Sequence, residues 1–206
     1  MRPPHRLCYN AGRMLRLLTA TDPKWIDAAL EQFDAVLLDH LHCELKAASN
    51  ATSLVARYPM HPRVVHELTA LAREELEHVT QVFDEMQRRG VRAHPPEQDP
   101  YALELLRVSR AKPSYVADGL LDRLAVGALI EARSCERFSI LKDRAPTETL
   151  RAWYADLFAS EARHYRLFSS LAEEIAGVDV ARDRLEWLAT REAEIVADLP
   201  LVARVH

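Results

Sequence analysis

The chain has 206 residues, of which 49% are apolar and 28% charged, and a formal net charge of −4. That length allows one domain or at most two small ones, and the composition excludes a disordered chain. Net acidity excludes attachment to nucleic acid by bulk charge alone, while leaving room for a local basic patch.

Only five glycines are present, so tight turns are few and long helices are expected. Residues 1–21 read as an N-terminal extension. Arg2, Arg6, Arg13 and Arg16 lie there without the apolar run of a signal peptide behind them. Asp22-Pro23 fits a helix start, with Pro at the first helical position, and helical pattern continues from Lys24 to about Arg57. Pro62 opens a second helix to about Arg89, closed by Gly90. The 91–113 link holds Pro95, Pro96, Pro100 and Pro113, so it cannot be one helix; Asp99-Pro100 starts a short helical piece through Val108. A third helix fits Ser114 to about Asp143. Pro146 opens a fourth, ending at Gly177, and Asp179 caps an extra C-terminal helix over 179–197.

The short links at 58–61 and 144–146 make their flanking helices antiparallel. The long middle link has the length to carry the chain back along a bundle, leaving the second and third helices parallel. The expected fold is therefore all-α, a single ferritin-like four-helix bundle over 1–206 with one long crossover. An up-down bundle with a functional loop has the same spacing.

Steps of three and four along each helix define a core stripe. Each stripe is interrupted by a glutamate: Glu44, Glu75, Glu131 and Glu161. His78 and His164 follow two of them by three residues. With 18 glutamates and nine histidines, one Glu-x-x-His arises readily by chance. Repetition carries more weight. Glu44 and Glu131 are 87 positions apart, while Glu75 and Glu161, like His78 and His164, are 86 apart. The pattern reads as a duplicated half-site. Carboxylates buried together must be protonated, paired or bound to cations. One Glu from each of two helices and Glu-x-x-His from two others is the di-iron or di-manganese carboxylate arrangement. The bland reading is a bundle whose Glu and His face water.

Glu74 and Glu77 fall off the stripe and read as solvated; Glu136 lies on another face than Glu131. His40 and His42 read as polar contacts beside Glu44, and Cys43 and Cys135 as inert core thiols. Gly127, one turn before Glu131, either leaves space beside the metals or permits close packing. With Cys8 the cysteines number three, which is no disulfide framework, so a cytoplasmic location is expected. No apolar stretch is long enough to span a membrane.

The runs LLDHLHCELKAASNATSLVARYP, REELEHV, LIEARSCERF and SEARHYRLF closely resemble the tRNA 2-methylthio-isopentenyl-adenosine hydroxylase family (MiaE), over roughly Leu17 to Arg191. The resemblance implies a ferritin-like non-haem di-iron monooxygenase. Such an enzyme hydroxylates the isopentenyl group of a hypermodified adenosine next to the anticodon. It also implies two iron ions, molecular oxygen and an external electron-donor protein such as a ferredoxin-type reductase system. By motif, the ligands would be Glu44, Glu75, His78, Glu131, Glu161 and His164. An unactivated allylic C–H bond is too weak an acid for general-base chemistry, which fits a metal-based oxidation. Phe83, Phe138 and Phe168 are candidate liners of an apolar channel for the prenyl group.

A tRNA substrate requires a positive face. Arg88, Arg89, Arg92, Arg107, Arg110 and Lys112 stand against Glu97, Asp99 and Glu104 in one segment and are the candidate phosphate contacts, with the N-terminal arginines as a second cluster. A target base buried in its stack would have to be extruded. A monomer without membrane attachment is expected. The competing functions are a di-iron oxidase or hydroxylase acting on a small or lipid-like substrate, and a ferritin-like iron-handling protein.

Overall fold

The fold is that of a computed structural model describing residues 15–206 apart from Glu97. Among these residues all regular structure is helical. The helices are α1 (Trp25–Glu31), α2 (Phe33–Arg57), α3 (Pro62–Arg89), α4 (Pro100–Ala111), α5 (Leu120–Arg144), α6 (Glu148–Ala176) and α7 (Val178–Asp198). A 3₁₀ turn at Val116–Gly119 precedes α5.

The start of α3 and its end match the punctuation of the sequence. Pro62 occupies the first turn, where its missing N–H costs nothing. Gly90 closes the helix at φ 72°, a left-handed position that glycine adopts without strain. Gly90 N–H donates to Gln87 O and Val91 N–H to Met86 O at 2.9 Å, satisfying terminal carbonyls.

Other boundaries differ from expectation. The first long helix is broken at Gln32, whose φ of −119° and ψ of 45° are not helical, although no proline or glycine marks the spot. The third begins only at Leu120, because Tyr115, Ala117 and Asp118 take positive φ values and Gly119 follows at 84°. Thr147 rather than Pro146 caps α6, its hydroxyl accepting from Leu150 N–H at 3.2 Å. Gly177 lies between α6 and α7, so Asp179 sits inside the first turn of α7 instead of capping it. The helix in the link extends to Ala111, beyond Val108.

The chain forms two compact units. One comprises Asp27–Asp99 and Val202–His206. In it α2 and α3 pack as an antiparallel hairpin. Arg89, at the end of α3, reaches Asp34 at the start of α2 (2.8 Å) and lies over the Phe33 ring. The C-terminal residues fasten onto this hairpin. Asp39 accepts from Val205 N–H at 2.6 Å, and Cys43 Sγ lies 3.3 Å from His206 Nδ1.

The other unit comprises Met1–Ile26, described from Leu15, and Pro100–Leu201. Here α5 and α6 form the antiparallel hairpin. Cys135 meets Phe158, Phe138 meets Tyr154, and Gly127 meets Phe168, so numbers rise on one helix as they fall on the other. Helix α7 packs on both and on α4. Two buried ion pairs hold it. Arg184 meets Asp122 at 2.8 Å, and Arg133 meets Glu192 at 2.7 Å. Glu192 also accepts from the Tyr101 hydroxyl of α4, and Arg133 further reaches Glu136 and Thr19 O. This network supplies the partners that a buried guanidinium requires.

Candidate metal centre

In the unit built on α2 and α3, Glu44 and the pair Glu75 and His78 point inward. Three residues separate Glu75 from His78, which puts them on one face of α3. His78 Nδ1 lies 3.2 Å from Glu75 Oε2 and 3.7 Å from Glu44 Oε2. The other Glu44 oxygen, Oε1, lies 2.7 Å from His40 Nε2. The ligand atoms offered by Glu44, Glu75 and His78 all fall within 4.8 Å of one another, and all three side chains are buried.

The electrostatics reflect this crowding. Burial pushes the Glu44 carboxyl up, but the hydrogen bonds from His40 and His78 outweigh it and hold the group well below the usual carboxylate range. Burial pulls His78 down, but the Glu44 and Glu75 carboxylates outweigh that and raise it to about 9. A proton on His78 thus occupies the place that a cation would take.

In the unit built on α5 and α6 the same triad recurs. His164 Nδ1 lies 3.8 Å from Glu131 Oε2 and 3.7 Å from Glu161 Oε1. The ligand atoms of Glu131, Glu161 and His164 also fall within 4.8 Å, and all three are buried. Each triad therefore offers two carboxylates and one imidazole, a hard oxygen and nitrogen donor set without thiolate. That set fits iron or manganese, and the paired buried carboxylates fit a dication.

The neighbouring residues sort clearly. Glu77 is exposed and Glu74 half-buried, as expected of solvated groups. Glu136 is buried but serves the Arg133 network, accepting also from Thr21 N–H at 2.8 Å. His40 touches Glu44 directly. His42 instead faces His94 and lines, with Asp39, Lys46, Asp99 and Arg204, a cavity of about 220 Å³. Cys43 and Cys135 are free and buried; Cys8 lies outside the described residues. Burial, helped by Glu131, pushes the Cys135 thiol up to about 12. Phe138 and Phe168 are buried, but Phe83 is 41% exposed and cannot line an interior channel. Gly127 is a close-packing glycine: a Cβ there would sit 2.9 Å from Phe168 Cε1, so of its two readings the packing one holds.

The candidate phosphate contacts divide between the units. Arg88, Arg89 and Arg92 belong with α3, and Arg107, Arg110 and Lys112 with the other unit. Arg88 pairs with Glu85, Arg89 with Asp34 and Arg107 with Glu104, while Lys112 lies over Trp187. Arg92 and Arg110 are exposed. Of the N-terminal arginines only Arg16 is described, and it pairs with Glu186 at 2.9 Å. What the sequence reading missed is the Arg133–Glu192–Tyr101 network. Its only signal is a glutamate among the apolar positions of α7 and an arginine two residues from Glu131, off the stripe and far away in the chain.

The profile of the family described as tRNA-(MS[2]IO[6]A)-hydroxylase (MiaE) matches residues 11–206. The chain belongs to this family. The match extends past both ends of the resemblance visible in the sequence and takes in residues 11–16. A MiaE-family relative from Pseudomonas putida, a tRNA 2-(methylsulfanyl)-N(6)-isopentenyladenosine(37) hydroxylase, is 42% identical over 187 residues, covering 90% of this chain and 89% of the relative. The protein of the same name from Salmonella typhimurium is 30% identical, covering 90% and 85%. Among solved structures, a Synechococcus protein with aldehyde deformylating oxygenase activity superposes with a TM-score of 0.84 at 38% identity. That likeness covers 92% of this chain and 94% of the Synechococcus chain. The fold is thus ferritin-like as well as all-α.

Proposed function

We propose that this MiaE-family protein is a tRNA-modifying monooxygenase that hydroxylates the isopentenyl group of 2-methylthio-isopentenyl-adenosine next to the anticodon. The observation that carries the reading is the duplicated, buried Glu/Glu/His triad in a chain of this family. Glu44, Glu75, His78, Glu131, Glu161 and His164 are the proposed ligands of two iron ions. When bound, the irons supply the oxidising power that an unactivated C–H bond demands. The reaction consumes molecular oxygen, two electrons and two protons, places one oxygen atom on the prenyl carbon and releases the other as water. An electron-donor protein of ferredoxin-type reductase systems supplies the electrons.

The roles of the chain's own residues follow from their chemistry. The four carboxylates neutralise the metal charge, and the two imidazoles complete the donor sets after losing their protons. The buried Phe138 and Phe168 provide apolar walls of the kind a prenyl chain prefers over water. Arg92 and Arg110, exposed, and the paired Arg88, Arg89, Arg107 and Lys112 are proposed to meet phosphates. No described helix is long and apolar enough to cross a membrane. The protein is proposed to act on tRNA as a monomer in the cytoplasm.

A single-turnover assay tests this. Iron-loaded, chemically reduced protein is mixed with oxygen and tRNA carrying the prenylated, methylthiolated adenosine, and the digested nucleosides are weighed by mass spectrometry. One added oxygen on the prenyl side chain is expected. No gain with two irons bound would reject the substrate while leaving the metal site standing. The second reading, an oxygenase acting on a small lipid-like molecule, draws on the aldehyde activity of the Synechococcus neighbour. Oxidation of a long-chain aldehyde instead of tRNA would favour it.

A further inference from the structure

The side of α2 turned away from Glu44 carries a second polar cluster. Asp39, His42 and Lys46 are spaced by three and four residues and share that side of the helix. His94 and Asp99 of the link and Arg204 near the C-terminus complete the wall of the cavity of about 220 Å³. Arg204 ties the last two segments together by donating to Gln98 O at 3.1 Å. All six residues belong to the unit built on α2 and α3.

One lining side chain is unsatisfied. His42 is only 9% exposed, and neither of its ring nitrogens completes a hydrogen bond, although the His94 backbone lies nearby. A buried imidazole left in this way costs free energy, which a bound group meeting the ring would return. The charges on the wall narrow the class of that group. Lys46 pairs with Asp99. Cys43 Sγ and the N–H groups of Val205 and His206 all meet Asp39 at Oδ2, leaving Oδ1 outside those contacts. Two carboxylates thus stand against an ammonium and a guanidinium. A bare phosphate would face Asp39 and Asp99, and a bare dication would face Lys46 and Arg204. Among the described residues, groups of candidate metal ligands converge only around the Glu and His residues of the two triads. A neutral ligand with both donors and acceptors suits this wall. The volume is smaller than the roughly 300 Å³ at which drug-sized sites begin, so it suits one flat ring system. The His42 and His94 rings, with centroids 6.4 Å apart and planes tilted by 52°, offer imidazole surfaces to such a ring. A nucleobase has this chemistry. Bases splayed from RNA loops are stacked on aromatic side chains and hydrogen-bonded at their edges. The exposed Arg92, two residues before His94, is one of the proposed phosphate contacts.

We propose that this cavity receives an unstacked base of the anticodon loop, other than the adenosine that is hydroxylated. The inference rests on the tRNA reading above. An exocyclic amino group donates to Asp39 Oδ1, a ring nitrogen or carbonyl of the base accepts from Lys46, and the His94 ring stacks on its face. Cytosine, adenine and guanine carry the amino group; uracil lacks it and fits worst.

Two measurements on the full chain test this. In the first, protein with isotope-labelled histidine is titrated separately with CMP, AMP, GMP, UMP and inorganic phosphate and followed by NMR. The amino-bearing nucleotides should shift the His42 and His94 ring signals saturably, UMP should do so more weakly, and phosphate should leave them unmoved. Phosphate acting as strongly as CMP would make the cavity an anion site and overturn the base assignment, as would nucleotides that move neither ring. In the second, an anticodon stem-loop carrying the prenylated adenosine is bound over a range of salt. His94→Ala, at an exposed position, should weaken binding about tenfold. The slope of log affinity against log salt should stay the same, because a base contact releases no counterion. His94→Tyr, which keeps a ring, should retain the affinity. Unchanged affinity in His94→Ala, or a loss accompanied by a smaller salt slope, would overturn the base pocket and leave the tRNA reading standing. Failure of the natural protein to bind the stem-loop would overturn both.

Discussion

His78 shows how a single residue links folding to metal chemistry. Its ordinary value is 6.5, and the carboxylates around it raise this to about 9 despite burial. A raised histidine stabilises the fold while protonated in both states. That contribution is complete below about pH 6.5 and is lost as pH rises through about 9. Metal-free protein is therefore expected to lose on the order of 2 kcal/mol of unfolding free energy between pH 6.5 and 9.5, measured by urea unfolding with chelator present. The His78→Gln variant should show a flatter profile. With His78 as a proposed iron ligand, iron-loaded protein should not follow this curve, because the metal would take the place of the proton. Cys135 makes a second prediction at this scale. With its thiol pushed up to about 12, little thiolate exists at pH 8. Alkylation of Cys135 in the folded protein should be roughly a hundredfold slower than in urea, read by mass spectrometry of the labelled peptide.

At the scale of the helices, α5 carries the largest number of constraints. It is buried on opposite faces: Gly127 and Glu131, a proposed metal ligand, lie on one, and Arg133 and Glu136 on another, where Arg133 meets Glu192 of α7. Glu192→Ala would leave the Arg133 guanidinium buried with Glu136 as its remaining carboxylate. A destabilisation of about 3 kcal/mol is expected, with Glu192→Gln milder because its amide oxygen still accepts. Gly127→Ala tests packing. Its Cβ would need the Phe168 ring to shift, at about 1–2 kcal/mol. Adding Phe168→Leu should make the double variant more stable than the sum of the single changes, measured as a coupling energy in thermal or urea unfolding. Strict additivity would show that the ring yields without strain.

For the molecule as a whole the question is how an acidic chain engages a polyanion. Net charge is −4, so any attraction to tRNA must come from local patches. Replacing Arg88, Arg89 and Arg92 together should weaken binding and lower the slope of log affinity against log salt. Since Arg88 and Arg89 are already paired with Glu85 and Asp34, the fall should be less than about 0.9 per residue removed. Metal binding acts on the same scale. On the proposed ligand set, removal of iron by chelation should lower the melting temperature, and Glu161→Ala should abolish the iron-dependent part while leaving the helical content unchanged.

Much of this was legible from residue spacing alone. Glu-x-x-His puts two donors on one helical face wherever it occurs, and its recurrence at 86 positions identified both triads before any coordinates. Pro62 and Gly90 announced the ends of α3, because proline and glycine act through their own backbone geometry. The break at Gln32 could not be foreseen, since no residue there is barred from a helix. Three non-glycine residues with positive φ before Leu120 were equally silent, their conformation being imposed by surroundings. The space beside Gly127 is filled by a ring forty-one residues further on, and Arg133 finds its carboxylate on α7. Periodicity names the face a side chain occupies; which partner meets it there depends on how separate helices pack, and that is a property of contacts distant in the chain.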